Sequence, residues 1–563
     1  MDKVRARQSY RVCLFFFQTP PVSQDPPDKA QKTGRSIASI ASIVAAATLI
    51  SKVFGLVRQQ AIAAAFGVGP AVDAYNYAYV IPGFLLVLLG GINGPFHSAI
   101  VSVVAKRDKE DTAPLIETIT TLIGGILLVV TILLVIFANP LVDLVAPGLN
   151  TTDAGLEIHA IAVQQLRIMA PMALLAGLIG IGFGTLNAAD MYWLPSISPL
   201  FSSVALIGGL GILALSLGGA IVEPQYAMAG GLVLAWGTLI GALLQWLVQV
   251  VAQWRSGLGT LRLRFEFWRP GVKEVLKVMG PATFSSGMMQ INVYTDLWFA
   301  SFIPGTASAL GYAGLLVQTP LGILSNAILV PLMPIFSRLS DPENWDELKR
   351  RIRQGLVLTA LTMLPLGALM VVLAMPIVRA VYERFAFDRE ATEFVAAILV
   401  AYGAGMFFYL GRDVLVRVFY ALGDGDTPFK ISVANIFLNA LLDYLLINAF
   451  GAPGLVLATV GVNIVSMVVL IVLLDRKIDG LPWGEWFVPF GGLTVASAIA
   501  AAASWGTLVG LERGLAMDGF FGAMLELGLA GTLGLGVFGA IAMQLGLPEV
   551  DLFVSRIRAK LGR

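Results

Sequence analysis

From Ser36 onward, long apolar runs alternate with short polar stretches. Crossing a bilayer core about 30 Å thick takes about 20 helical residues. Fourteen runs meet that length, at about 36–66, 73–105, 113–145, 155–187, 193–218, 226–253, 275–303, 307–337, 347–378, 391–421, 429–450, 452–474, 485–511 and 519–546. The pattern predicts an all-α polytopic membrane protein with fourteen transmembrane helices.

The polar stretches carry their own signal. Loop 106–112 holds Lys106, Arg107 and Lys109, and loop 254–277 holds Arg255, Arg262, Arg264, Arg269, Lys273 and Lys277. Loop 338–353 holds Arg338, Lys349, Arg350, Arg351 and Arg353, loop 475–484 holds Arg476 and Lys477, and the chain ends on Arg556, Arg558, Lys560 and Arg563. Loops 67–72 and 146–154 hold no Lys or Arg. Positive charge is retained on the cytoplasmic side, so both termini are expected there. The outward loop with Arg379, Arg384 and Arg389 departs from the alternation.

This layout divides the chain. Residues 1–35, with prolines at 20, 21, 26 and 27 among polar residues, read as a disordered cytoplasmic tail. Six spans fill 36–253 and six fill 275–474. Residues 254–274 join them, and there Leu261, Leu263, Phe265 and Phe267 alternate with Arg262, Arg264, Glu266 and Trp268. That alternation predicts an extended or interfacial segment at the cytoplasmic face. A terminal helix pair and a basic tail fill 475–563. Ala74-Tyr75-Asn76-Tyr77-Ala78 resembles Ala309-Leu310-Gly311-Tyr312-Ala313, a faint repeat between the halves. Two six-helix lobes plus a C-terminal pair are therefore expected, as in transporters built from repeats.

Composition narrows the class. Of 563 residues, 57% are hydrophobic and 13% charged, against about 25% charged in soluble domains. A net charge of +1 gives no field for nucleic acid. One cysteine, Cys13, and two histidines, His97 and His159, exclude an internal disulfide and argue against a Cys/His metal centre. The two histidines read as ordinary polar lining. No Gly-rich phosphate loop ending in Lys-Ser or Lys-Thr is present, and no hydrolytic dyad stands out. A transporter, neither an enzyme nor an ATP-driven pump, is expected, with no cofactor beyond an ion.

Charge inside the apolar runs is the candidate chemistry. Ser51-Lys52-Val53-Phe54-Gly55-Leu56-Val57-Arg58 places two cations in the first run. Each costs about 2.5–3.5 kcal/mol at the centre of an inserted helix, so such groups face a bundle interior or a wet cavity. Lys52 is about sixteen residues in, roughly 24 Å at 1.5 Å per residue, too deep to reach the near surface easily. Asp73 is expected to pair with Arg58 or to cap span two. Arg412 is expected to pair with a neighbouring acid, Arg417 to snorkel, and Asp424-Gly425-Asp426-Thr427-Pro428 to form a turn opening a helix.

At these residues the chain resembles the MurJ/MviN family of lipid II flippases, within the multidrug/oligosaccharidyl-lipid/polysaccharide exporter superfamily. The likeness rests on Ser51–Arg58 with Phe66-Gly67, Asp73-Ala74, Pro82 and Ser98-Ala99. It extends to Arg167-Ile168-Met169-Ala170-Pro171, Gln290-Ile291-Asn292 with Asp296, and Arg417 with Phe419 through Asp424 to Thr427-Pro428-Phe429-Lys430. It implies a flippase carrying lipid II, an undecaprenyl-pyrophosphate-linked precursor, to the outer leaflet of a bacterial plasma membrane. It further implies a cationic cavity between the lobes, a tail groove at spans thirteen and fourteen, and a monomer associated with the cell-wall synthesis machinery. Membrane lipids are its other expected partners. The substrate residues implied are Ser51, Lys52, Arg58, Asp73 and Arg167. The implied sodium site is Asp296, Asn439, Asp443, Thr459 and the carbonyl of Leu455, an all-oxygen shell of the kind hard cations take. The chain departs from the family where arginines are expected after Pro82 and after Tyr312-Ala313: it has Phe84 to Leu89 and Gly314-Leu315 instead, and Asn93 replaces an acid. A cation-coupled drug or metabolite exporter of the same superfamily is the alternative.

Overall fold

The computed structural model describes residues 37–91, 94–104, 107, 109–288, 291–515 and 519–551. The expectations for the tail 1–35, Lys106, Asn93, Gln290 and the last arginines lie outside them. Among the described residues the protein is helical throughout, with no strand and one isolated bridge, Arg384 to Phe387. Residues 37–43 form the first turns of α1 (Ile37–Phe66); everything below concerns Val44 onward.

The first half continues with α2 (Pro70–Gly90), α3 (Pro95–Val104), α4 (Lys109–Ile136), α5 (Ala138–Val145), α6 (Asp153–Met169), α7 (Met172–Ala188), α8 (Trp193–Ile197), α9 (Pro199–Leu217) and α10 (Ala227–Arg255). The second holds α11 (Pro270–Met288), α12 (Ile291–Ala300), α13 (Thr306–Arg338), α14 (Trp345–Val372), α15 (Ala374–Tyr382), α16 (Arg389–Ala421), α17 (Asp426–Phe450) and α18 (Ala452–Lys477). α19 (Trp483–Leu515) and α20 (Gly519–Gln544) complete the chain.

Eleven of these helices, or twelve with the bent pair α6 and α7, are long and apolar enough to cross a membrane. That falls short of the fourteen expected. The expected run 155–187 is broken before Pro171, where a helix loses a backbone donor, and its halves bend by 42°. The expected run 275–303 is likewise two helices, α11 and α12.

Apolar side chains cover the outside as well as the inside: Leu215 is 89% exposed and Phe437 73%. In lipid such surface costs nothing, so helix association rests on close packing and polar contacts. Glycine supplies the closeness. Gly367 of α14 and Gly403 of α16 each face the other's carbonyl oxygen, leaving no room for a Cβ on Gly367. Gly180 of α7 lies against the carbonyl of Leu89 in the same way. α2, α3, α4, α6, α7, α9 and α10 pack chiefly on one another; α13, α14, α16, α17 and α18 do likewise; α19 and α20 pair and lean on α14 and α15.

Candidate functional site

A cavity of about 340 Å³ separates α2 from α12, α13, α16 and α18. Its polar lining is Asn76, Tyr79, Tyr294, Asp296, Gln318, Tyr402 and Thr459. No Lys or Arg lines it among the described residues, as the missing arginines suggest. The two matched repeat segments meet at its edge: Asn76 Oδ1 lies 3.7 Å from where a Cβ of Gly311 would be.

The cations of α1 stand behind this wall. Arg58 is half-buried beside Tyr75 and Tyr79, and its charge acts on both phenols. Those rings stack at 5.4 Å, and the Tyr75 hydroxyl shares a 2.9 Å hydrogen bond with Thr238. The buried Arg58 Nε has no partner, a costly state for a donor. Tyr79 lines the cavity and Arg58 does not. Lys52 is exposed, with Nζ 3.9 Å from the Cβ position of Gly322 on α13. Ser51 donates to the Ser196 carbonyl at 3.2 Å, so its proton is committed to the backbone. Arg167 is exposed in the last turn of α6, where a cation suits the helix carbonyls; it does not line the cavity.

Asp73 does neither of the things expected of it. Buried at 2% exposure, it reaches across to α13. Gly305 N donates to Oδ2 at 2.6 Å, and Ser308 N and Oγ donate to Oδ1 at 2.8 and 2.6 Å. Gly305, the N-cap of α13, sits at φ 79 and has no side chain to cap with. A carboxylate from another helix therefore satisfies the free N–H groups and the positive end of the helix dipole. Sequence offered no sign of this partner, 235 residues away. Further bonds join the same end: Tyr312 hydroxyl to Gly67 O at 3.0 Å, Ala386 N to Ala64 O at 3.1 Å, and Gln60 Nε2 to Val381 O at 3.1 Å. Gly148 N also donates to Ser301 Oγ at 2.9 Å. The cavity is closed on the side of loop 67–72.

The residues of the second constellation come together across α12, α17 and α18. Asn439 and Asp443, one turn apart on α17, are both fully buried. Asn439 Nδ2 donates to Asp443 Oδ2 at 2.7 Å and to Asp296 Oδ1 of α12 at 2.9 Å. Thr459 Oγ1 of α18 lies 3.5 Å from Asn439 Oδ1 and donates to the Leu455 carbonyl at 3.3 Å. Asn463, not foreseen, donates to the Thr459 carbonyl at 2.7 Å. Asp443 Oδ1 is buried without a partner. Two carboxylates sharing one amide need a countercharge, a cation or a proton. Every other available atom is oxygen, and Asp296, Leu455 and Thr459 border the cavity.

The remaining expectations resolve locally. Arg412 pairs with Asp413 at 3.9 Å. Asp424 accepts from Thr427 N at 3.0 Å and opens α17. His159 bonds Asp143 at 3.0 Å and His97 lies 2.7 Å from Asn187.

The family model described as lipid II flippase MurJ matches residues 62–521. Over 532 residues the chain is 58% identical to a probable lipid II flippase MurJ of Synechocystis sp., covering 94% of this chain and 99% of that protein. The chain belongs to the lipid II flippase MurJ family. It is also 30% identical over 466 residues to the lipid II flippase MurJ of Burkholderia cenocepacia, covering 80% of this chain and 87% of that one. A solved structure of a lipid II flippase MurJ in an inward closed conformation shares the fold, with a TM-score of 0.70 at 22% identity over 93% of this chain and all of that one. An inward-facing MATE-family transporter of the MOP superfamily matches at a TM-score of 0.56 and 16% identity, over 78% of this chain and 98% of its own. A flippase is a transporter, so membership in the MurJ family makes this chain a multi-pass membrane transporter and not an enzyme.

Proposed function

We propose that this protein carries lipid II from the inner to the outer leaflet of a bacterial plasma membrane by alternating access. Family membership over residues 62–521 carries the reading. Its physical support is a polar cavity in an apolar bundle, closed at one end by hydrogen bonds that a second state would break. With α1 and the α11–α12 pair counted as spans, the helices make fourteen: two six-helix lobes, 36–253 and 275–474, and a terminal pair whose surface holds the lipid tail. Basic loops put both termini in the cytoplasm, and the closed end is then the outer one.

Lys52 and Arg58 are the pyrophosphate contacts. An oxyanion entering beside Tyr79 would give the orphaned Arg58 Nε the acceptor it lacks. Asp73 acts on conformation, holding the outer closure. Asp296, Asn439, Asp443, Thr459 and the Leu455 carbonyl would hold a sodium ion. The unpartnered Asp443 Oδ1 and the oxygen-rich set fit it. A bound cation would supply countercharge to the two carboxylates, and its gradient or the membrane potential would drive the cycle.

One specific observation favours the exporter alternative: among the described residues the cavity lining holds an acid, Asp296, and no Lys or Arg. The two readings separate in vesicles holding purified protein and lipid II, read with an impermeant probe for its head group. Flipping by wild type, its loss in Arg58→Ala and partial retention in Arg58→Lys, which keeps charge but not the bidentate fork, are expected. Wild type that leaves lipid II unflipped while moving organic cations would favour the exporter.

A further inference from the structure

The segment between α10 and α11 is built with two unlike edges. One edge is pinned to α4. Glu117, 4% exposed, accepts from Thr260 N at 3.0 Å and Thr260 Oγ1 at 2.6 Å, while Arg264 Nε reaches its other oxygen at 3.1 Å. Arg264 N donates to Thr121 Oγ1, one turn further along α4, at 3.0 Å. These bonds hold residues 260–264 extended along the helix.

Extended backbone alternates its side chains, and the other edge is apolar. Leu261 is 58% exposed, Leu263 75% and Phe265 68%, followed by Trp268 at 84%. Cations flank these tips. Arg262 is exposed with no carboxylate partner among the described residues, and Lys273 Nζ lies 5.2 Å over the Trp268 ring. Trp254, 67% exposed, closes the row at the end of α10.

We infer that this edge is an interfacial anchor seated in the membrane leaflet at the basic end of the bundle, with anionic phospholipid as its occupant. Both flanking helices, α10 and α11, lead out of the membrane-embedded bundle, so the row continues a surface already in contact with lipid. An apolar and aromatic edge flanked by cations that have no carboxylate partner among the described residues matches the boundary between acyl chains and anionic headgroups, and tryptophan concentrates at that depth. The pin through Glu117 makes the anchor a fixed part of α4, so the bundle is held at a set depth on this side. The inference rests on the membrane-spanning fold and not on the substrate.

Spin labelling of the full chain in nanodiscs tests it. With Cys13→Ser as background, Leu263→Cys carries the label, and Gln225→Cys, in an exposed turn, is the aqueous reference. The label at 263 should be several-fold more accessible to oxygen than to a polar nickel complex, unlike the reference. It should sit deeper in phosphatidylglycerol than in phosphatidylcholine, and Arg262→Gln should remove that difference. A label at 263 that reads like the reference in both lipids would overturn the anchor. So would a label shielded from both reagents, the sign of a protein cover.

Discussion

Asp73 and Asp443 show how a carboxylate's role follows from the donors around it. Asp73 accepts three hydrogen bonds from the start of α13, which turn its carboxylate to that helix end. Interhelical hydrogen bonds in membranes average about 0.6 kcal/mol and reach about 1.7, so three of them favour the closed end by roughly 2–5 kcal/mol. Asp73→Ala should shift the population toward the state open at this end, read as longer distances between spin labels on loops 67–69 and 301–305. Asp443 is the opposite case, with one oxygen unpartnered. Asp443→Asn should weaken sodium binding by at least roughly tenfold, the lower end of what substitutions one shell further out already cost. Calorimetry with sodium checks this; equal affinities would make the cluster a structural hydrogen-bond network.

At the scale of elements, caps and breaks decide where helices start and bend. Asp424 is the worked case. Burial pushes its carboxyl up, but hydrogen bonds from Lys477 and Thr427 outweigh this and hold it at about 2, below the ordinary 3.8. A depressed acid stabilises the fold above its unfolded value and loses that contribution as pH falls through the folded one. Asp424→Asn should therefore unfold at lower temperature than wild type at neutral pH. The gap should close between about 3.8 and about 2; a gap that persists there would assign the effect to the turn and not to charge. The turn itself was legible, because Asp, Gly and Pro carry their geometry locally. So was the Asn439 and Asp443 pair, set by one helical turn. The break before Pro171 was not, because hydropathy reads straight through it. Asp73's partner was not either, because a contact across 235 residues leaves no local pattern.

Across the whole molecule the alternating apolar and basic stretches announced a membrane bundle, and the faint repeat of 74–78 in 309–313 marked segments that meet at the cavity's edge, Asn76 against Gly311. What sequence could not order was the route from charge to cavity. Lys52 and Arg58 share a helix, yet neither lines the cavity, and Lys52 stands opposite Gly322. With no Lys or Arg lining the cavity among the described residues, these two cations carry the pyrophosphate recognition in this account. The most direct test is in cells depleted of their own flippase and given this chain, reading outward-facing lipid II with an impermeant enzyme that cleaves it. Wild type and Lys52→Arg should restore cleavable lipid II and growth. The double substitution Lys52→Ala with Arg58→Ala, at equal membrane abundance, should leave lipid II protected. Full restoration by that double variant, or none by wild type at normal abundance, would contradict the account.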